Sequence, residues 1–286
     1  MDSFVMEHEA ALRLFFFLAV FAVVAGAELR WPRRALSLPR RLRWVHNLGL
    51  VALNTLLLRL LFPAAAVGVA AFAGARGWGL FHAWSLAPVA ALVAGVVLLD
   101  LAIYLQHVMF HAVPLLWRLH RVHHADMDFD VTTGARFHPI EIVLSMLIKF
   151  AVILLLGPPL AAVVIFEILL NATAMFNHGN LRLPQAVDRR LRWLVVTPDM
   201  HRVHHSVADD EANSNFGFNL PWWDRLFGTY RDQPRGGHEG MTIGIYTCRD
   251  PDRVARLPGM LALPFMKRLG PYVINRRSWM PPADDE

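Results

Sequence analysis

The histidines are the residues whose type and spacing point to chemistry. The sequence contains 14 of them, and eight lie in three tight groups: His107 and His111; His120, His123 and His124; His201, His204 and His205. Residues three or four positions apart share one face of an α-helix, so each group directs at least two imidazoles at one point. Neutral imidazole is a ligand for first-row transition metals. Two copies of His-Arg-Val-His-His about 80 positions apart are hard to explain by packing, so the spacing predicts a metal centre.

Two further histidines stand at the ends of apolar segments. Glu167, Asn171 and His178 recur at intervals of four and seven positions and form a polar stripe, so we expect His178 to join the cluster. His138 lies where the chain enters an apolar segment, and a ligand role and a helix-entry role are equally open for it.

The size of this histidine set indicates more than one metal. Zinc sites typically take about four ligands, and the sequence has no His-Glu-x-x-His motif to supply a hydrolytic zinc site with its general base. Nine or ten imidazoles therefore predict two metals. A two-metal site that is rich in nitrogen, poor in carboxylate and next to lipid favours iron used for dioxygen chemistry over phosphoester hydrolysis.

A polar stripe also leads to the first histidine group. Asp100, Tyr104, His107 and His111 are spaced by four, three and four positions on an otherwise apolar segment. An ionisable residue inside a membrane segment is a functional candidate. We expect Asp100 to accept a hydrogen bond from a ligand imidazole or from Tyr104. A helix-end carboxylate that reaches water is the alternative.

The hydrophobic residues occur in long blocks rather than in an amphipathic pattern. They make up 55% of the chain, with a mean hydropathy of +0.37. A helix needs ~20 residues to cross ~30 Å of hydrocarbon. Residues 10–27, 45–72 and 84–105 meet or approach that length, and residues 142–176 are interrupted at Gly157-Pro158-Pro159. The sequence predicts an all-α membrane bundle of about three transmembrane helices plus a broken helical hairpin, which is rather short for two full crossings.

Charge indicates the orientation of this bundle. The loop after the first block carries six arginines between positions 30 and 43, which by the positive-inside rule places the loop in the cytoplasm. The small residues at the end of the first block resemble a signal-peptide cleavage site. A secretory signal begins with a basic segment, however, whereas Asp2, Glu7 and Glu9 precede this block, so we expect an uncleaved anchor. In this orientation the third helix returns to the cytoplasmic face. A hairpin crosses the membrane an even number of times, so the histidine groups before and after it lie on that same face and form a histidine-rich cap.

Composition also excludes several classes and suggests three regions. A lone Cys248 excludes a disulfide scaffold. The net charge of +5 comes mostly from short arginine clusters, which suit anionic lipid better than nucleic acid. We expect transmembrane helices in residues 1–97, a histidine-bearing domain in residues 98–230 and an irregular tail in residues 231–286, with an apolar patch at 257–266 on the membrane.

These motifs together resemble the fatty acid hydroxylase and sterol desaturase superfamily of integral-membrane di-iron enzymes. The resemblance covers residues 98–230 and rests on HVMFH at 107–111, HRVHH at 120–124 and 201–205, RFHPIE at 136–141, NHGN at 177–180 and NFGFNLPWWDRLFGTY at 215–230. It implies two iron ions that activate dioxygen to hydroxylate or desaturate a C–H bond of a lipid chain or sterol. The implied ligands are His107, His111, His120, His123, His124, His178, His201, His204 and His205, with His138 as a weaker member.

The resemblance also implies supporting residues and partners. Trp223, Asp224 and Arg225 are expected to lock the cap over the metals, and Asp100, Tyr104, Asn180 and Asp224 to support the ligands from behind. Electrons must come from a separate carrier, a ferredoxin or a b-type cytochrome with its reductase, because the sequence has no flavin or nicotinamide fingerprint. The lipid substrate, and the choice between hydroxylation and desaturation, stay open. A histidine-rich membrane protein that binds or transports metal without oxygenase activity is the alternative.

Overall fold

The computed structural model describes the backbone of residues 2–266 and the side chains of residues 8–266. Within that part the chain is helical, and strand-like pairing is limited to the isolated bridges Pro32–Leu181 and Ser206–Ile243. The α-helices are α1 (Asp2–Arg30), α2 (Arg40–Leu61), α3 (Ala65–Arg76), α4 (Leu80–Ala83), α5 (Pro88–Ala112), α6 (Pro114–His124), α7 (Pro139–Leu156), α8 (Leu160–Asn177), α9 (Gln185–Leu191), α10 (Pro198–His204), α11 (Asp209–Ala212), α12 (Trp222–Leu226), α13 (Gly237–Gly240), α14 (Pro251–Val254) and α15 (Leu257–Ala262). The predicted all-α class is confirmed.

Five helical segments among the described residues are long and apolar enough to cross a membrane. They are His8–Arg30, Arg40–Ala83, Pro88–Ala112, Pro139–Leu156 and Leu160–Asn177. The three predicted transmembrane helices lie in the first three segments, and the broken hairpin forms the last two. Each arm of the hairpin has 18 residues, which corresponds to ~27 Å and nearly matches the hydrocarbon thickness. The fold therefore fits an integral membrane protein.

The second apolar block differs from the single helix that its composition predicts. It is divided into α2 and α3 at Phe62-Pro63-Ala64, because proline cannot donate the backbone hydrogen bond that would continue α2. The two helices still advance in one direction along α7. Phe62 packs edge-on against Phe150 with 5.2 Å between ring centroids.

Contacts at the histidine end bring the ends of several helices together. The N–H of Asn180, just after α8, donates to Glu28 near the end of α1 at 2.7 Å. Asn54 of α2 donates to the carbonyl oxygen of Phe137, just before α7, at 2.8 Å. Helices α1, α5 and α8 therefore end near the histidines, whereas α2 and α7 run away from them.

At the opposite end, two glycines allow a close backbone approach. Gly79 and Gly157 both have positive φ angles, of 103° and 63°. A Cβ atom on Gly79 would lie 2.3 Å from the nitrogen of Gly157, so a larger residue would separate α3 from the turn between α7 and α8.

Several arginines that were expected to face lipid instead hold the cap together. Arg43 is fully buried and pairs with Asp126 at 2.7 Å and with Asp130. Burial opposes ionisation of Asp126, but the charges of Arg43 and Arg136 outweigh burial and hold the pKa of Asp126 well below its usual range. Arg34 donates to the carbonyl oxygen of His238 at 2.7 Å. These cations therefore act inside the protein.

The apolar patch at residues 257–266 is partly buried against the cap, whereas Phe265 is 68% exposed, so its contact with the membrane stays a prediction. Met260 and Leu263 are fully buried and pack against Leu50 and Val122. The preceding segment joins the cap as well, because the N–H of Gly244 donates to the carbonyl oxygen of His205. Residues 231–266 thus pack as part of the histidine-bearing unit, and the remainder of the predicted tail lies outside the described residues.

Candidate metal centre

Nine of the predicted ligands converge in two buried groups. In each group, one ligating atom from every residue lies within 4.8 Å of the others. Group one, as we call it, contains His107, His111, His120, His124 and His204, and group two contains His123, His178, His201 and His205. The nine residues come from α5, α6, α10 and the residues that directly follow α8 and α10.

Each His-Arg-Val-His-His motif serves both groups. From the first motif, His120 and His124 belong to group one and His123 to group two. From the second, His204 belongs to group one, whereas His201 and His205 belong to group two. Residues i and i+4 share a helix face, and the residue between them projects to the side, so one helical turn can reach two metals.

The ring nitrogens meet at distances that suit a shared metal. His107 Nε2 lies 3.1 Å from His120 Nε2 and 3.0 Å from His204 Nε2. In group two, His178 Nε2 lies 3.1 Å from the Nε2 atoms of His123 and His201. Imidazole nitrogens brought this close without other donors are the arrangement expected of residues that surround a cation.

Unpartnered nitrogen atoms give a second indication that this donor set fits metal ions. Among the described residues, both ring nitrogens of His205 are buried without a hydrogen-bond partner. Buried polar atoms are normally satisfied, so this ring requires an explanation. A metal ion bound at one of its nitrogens provides one.

Hydrogen bonds at the backs of the rings orient several histidines. The Nδ1 atoms of His107, His178 and His204 each lie 2.7 Å from a backbone carbonyl oxygen. His120 Nδ1 lies 2.6 Å from Glu141 Oε1. Because an oxygen acceptor requires the proton on Nδ1, each Nε2 lone pair is left to face the group centre.

The pKa values in the cap favour neutral ligands. Burial lowers the pKa of His120 and of His178 to about 3. Burial, followed by the neighbouring imidazoles, lowers the pKa of His123, His201 and His204 well below the usual value. These rings are therefore unprotonated near pH 7, which is the form that binds metal.

Asp100 has a different partner from the one its spacing predicts. Its Oδ2 atom accepts hydrogen bonds from the indole nitrogen of Trp223 at 2.8 Å and from the N–H of Leu220 at 3.3 Å. The expected bond from Tyr104 or from a ligand histidine is not formed among the described residues, because the Tyr104 hydroxyl lies 2.9 Å from Thr229 Oγ1. Asp100 thus attaches the cap to α5.

Asp224 supports the ligands through the backbone. It accepts hydrogen bonds from the N–H groups of Phe216 and Gly217 at 2.7 and 2.9 Å. The carbonyl oxygen of Phe216 is in turn the acceptor for His107. Burial raises the pKa of Asp224 to about 6.

Asn180 and His138 lie outside both histidine groups. Asn180 Nδ2 donates to the carbonyl oxygen of Arg34 at 2.9 Å and so holds the loop after α1. His138 begins α7, where its Nδ1 accepts from the N–H of Ile140 at 3.2 Å. The structure therefore places His138 at the helix entry, one of the two roles that the sequence leaves open, and outside both histidine groups.

The comparisons with known proteins agree with this geometry. Residues 92–229 match the family model described as fatty acid hydroxylase. This part of the chain is a fatty acid hydroxylase domain.

The curated relatives that the chain matches are longer proteins. An ornithine lipid hydroxylase of Rhizobium tropici is 33% identical over 190 residues, 65% of this chain and 54% of the relative. Alkylglycerol monooxygenases of Xenopus tropicalis and Homo sapiens are 28% and 27% identical over 153 residues, 52% of this chain and 32% of each relative. The chain thus spans about half or less of the curated relatives that it matches. No solved structure matches it significantly.

A cavity in the protein connects group one with the membrane helices. It has a volume of about 300 Å³ and reaches His107 and His120 at one end. Apolar side chains of α2, α5 and α7 form much of its wall, including Leu58, Ile103 and Met146. The cavity therefore offers an apolar chain direct access to one of the histidine groups.

Sequence reasoning missed two residues at this site. Glu141 binds His120 from behind, and Phe137 stacks on His123 with 4.5 Å between ring centroids. Both lie in the Arg-Phe-His-Pro-Ile-Glu segment. A carboxylate in the first turn of an apolar helix was the available signal for Glu141.

Proposed function

We propose that the protein is a membrane di-iron oxygenase that hydroxylates a C–H bond of a lipid. The observation that carries this proposal is the convergence of nine buried histidines in two groups, one of which lines the cavity between the membrane helices. Two irons held by these groups would supply the activation of dioxygen. The reaction consumes the lipid, dioxygen, two electrons and two protons, and yields a hydroxylated lipid and water.

The protein's own contribution is to hold, orient and shield. Phe110, Phe137 and Phe218 surround the end of the cavity next to the histidines. Exclusion of water from such a site protects a reactive oxidant from side reactions. The apolar wall selects which carbon approaches the site, and an apolar pocket discriminates by ~1–3 kcal/mol per methylene.

Hydroxylation, rather than desaturation, is the outcome that the relatives favour. Those reported above are named hydroxylases and monooxygenases, and their names specify an ornithine lipid and alkylglycerols. A lipid that combines a polar head with an alkyl chain is therefore the proposed substrate.

The proposal includes a cytoplasmic site and a separate electron donor. The arginines at positions 30–43 favour a cytoplasmic loop after α1, and the histidine groups lie at the same end of the bundle. A ferredoxin or a b-type cytochrome with its reductase would deliver the two electrons. Exposed cations such as Arg189 and Arg190 suit an acidic partner.

The direct test combines metal analysis with lipid analysis. Purified protein should hold about two irons per chain, and cells that express it should contain a lipid heavier by one oxygen atom than cells that lack it. Zinc at full stoichiometry, no oxygen consumption with any extracted lipid, and metal flux into liposomes would instead identify a metal transporter.

A further inference from the structure

The cavity wall next to group one carries oxygen atoms that have no hydrogen-bond partner among the described residues. Asn54 Oδ1, Gln106 Oε1 and Glu141 Oε2 are buried and unpartnered, and all three residues line the cavity. A buried polar atom without a partner is costly, and most such atoms are satisfied by protein, water or a ligand. Each of these oxygens is a position where a donor from a ligand is expected.

The orientation of the Asn54 amide leaves its oxygen free. Asn54 Nδ2 donates to the carbonyl oxygen of Phe137 at 2.8 Å. Because a carbonyl can only accept, the amide of Asn54 cannot be reversed without facing oxygen to oxygen. Gln106 Nε2 lies 2.9 Å from Ser145 Oγ, a hydroxyl that can accept or donate, so this contact does not fix the orientation of the Gln106 amide. The free atom on Asn54 is therefore an acceptor.

The cavity-wall acceptors lie close to group one. Phe137 lies two residues before the start of α7, Glu141 is in its first turn and Ser145 in its second. These three positions span ~12 Å along the cavity wall. The other carboxylate oxygen of Glu141 lies 2.6 Å from His120 Nδ1. Asn54 donates to Phe137, whose ring stacks on His123 with 4.5 Å between centroids. Glu141 and Asn54 therefore lie at the end of the cavity where oxidation would occur.

The opposite end of the cavity is polar too, but its charges are already paired. Glu167 pairs with Lys149 at 2.7 Å and with Arg13 at 3.1 Å, and Arg13 also pairs with Glu9 at 3.4 Å. Two cations and two anions balance in this network. Each charge in this network has an opposite charge within 3.4 Å, in contrast to the acceptors beside the histidines.

We propose that the end of the cavity next to group one binds a lipid head that donates hydrogen bonds, such as a hydroxyl, amide or ammonium group. The alkyl chain then lies along Leu58, Ile103 and Met146. An ionised carboxylate head supplies no donor and would leave the buried Asn54 Oδ1 without a partner. This inference rests on the proposed function and narrows its substrate class.

The test is a binding comparison on iron-loaded protein without oxygen, so that no turnover occurs. Three labelled probes share one chain: 1-monopalmitoylglycerol, its di-O-methyl ether and palmitate. Equilibrium dialysis in detergent should show the glycerol probe bound about tenfold or more tightly than the ether, because the ether leaves buried acceptors unpaired. Palmitate should bind at least as weakly as the ether.

Two leucine variants locate the effect. Asn54→Leu should reduce the preference for glycerol over ether to about twofold or less. Asn171→Leu is the matched control, because Asn171 lines the same cavity but donates within α8 to the carbonyl oxygen of Glu167. It should keep the full preference, and both variants should keep the iron content of the wild type.

Three results would overturn the inference: equal binding of glycerol and ether probes, tighter binding of palmitate, or full preference in Asn54→Leu. If Asn54→Leu loses iron or fold, the wild-type ranking of the three probes decides alone. A preference without any oxygen consumption would contradict the proposed function and leave this site intact. Lipid oxidation without a preference for the glycerol probe would support the proposed function and contradict this binding site.

Discussion

His204 Nε2 lies 3.0 Å from His107 Nε2, although the two residues are 97 positions apart. His204 Nδ1 donates to the carbonyl oxygen of Ser214 and His107 Nδ1 to that of Phe216, two positions in one loop. One short segment therefore orients imidazoles from α5 and α10 toward the same point. Loss of either ring should affect the whole of group one.

Removal of one histidine from each group should abolish activity without removing the protein from the membrane. His204→Ala deletes a group-one nitrogen and His123→Ala a group-two nitrogen, whereas no transmembrane segment is altered. We expect turnover to fall by more than about 100-fold, beyond the 10–100-fold typical of residues that only support a ligand. Iron per chain and lipid oxidation are the measurements. His138→Ala, outside both groups, should retain both irons, and wild-type turnover in His204→Ala would contradict the metal assignment.

Glu141 should act through His120. Glu141→Ala removes the oxygen that holds His120 Nδ1, so iron affinity should fall about 10–100-fold. Glu141→Gln retains an oxygen acceptor of the same shape and should recover part of that loss. Chelator competition followed by iron analysis measures the effect. Equal iron affinities in the wild type and Glu141→Ala would show that the contact between Glu141 and His120 does not affect metal binding.

The bond between Trp223 and Asp100 should secure the cap to α5. Trp223→Phe removes the indole donor and leaves a buried carboxylate oxygen short of a partner, at a cost of about 1–3 kcal/mol. Limited proteolysis should then cleave residues 215–230 faster. Trp222→Phe is the control, since that indole donates to the backbone of Trp193 at an exposed position. Identical cleavage rates for the two variants would argue against this anchor.

Asp224 should make stability depend on pH. Burial raises its pKa to about 6 in the folded protein, from ~3.9 in an unfolded chain. A raised folded pKa means that the folded state binds the proton more tightly, so this contribution is complete below pH ~4 and is lost as the pH rises through about 6. The full difference between the folded and unfolded pKa values corresponds to about 3 kcal/mol in the free energy of unfolding.

The Asp224→Asn variant isolates this titration. Its melting temperature relative to the wild type should rise between pH 4.5 and pH 7.5, because only the wild type must bury a carboxylate at the higher pH. Thermal unfolding in detergent at the two pH values measures the difference. A difference in melting temperature between variant and wild type that is the same at both pH values would show that Asp224 does not titrate in this range.

The sequence by itself determined the helical class and the set of imidazoles. Apolar blocks of sufficient length predict spanning helices whatever their neighbours are, because backbone groups in hydrocarbon must be paired within the segment. The spacing of His107 and His111, and of the two His-Arg-Val-His-His motifs, is likewise a local property of a helix. These features could be predicted without knowledge of the packing.

Only the tertiary structure decided how those residues are shared and what supports them. The division of each motif between two groups depends on where α5, α6 and α10 face one another. The same is true of Asp100, whose partner Trp223 lies 123 positions away, and of Arg43, which neutralises buried carboxylates instead of facing lipid. Periodicity gives the face on which a side chain lies, but its partner is set by non-local packing, which no local spacing encodes.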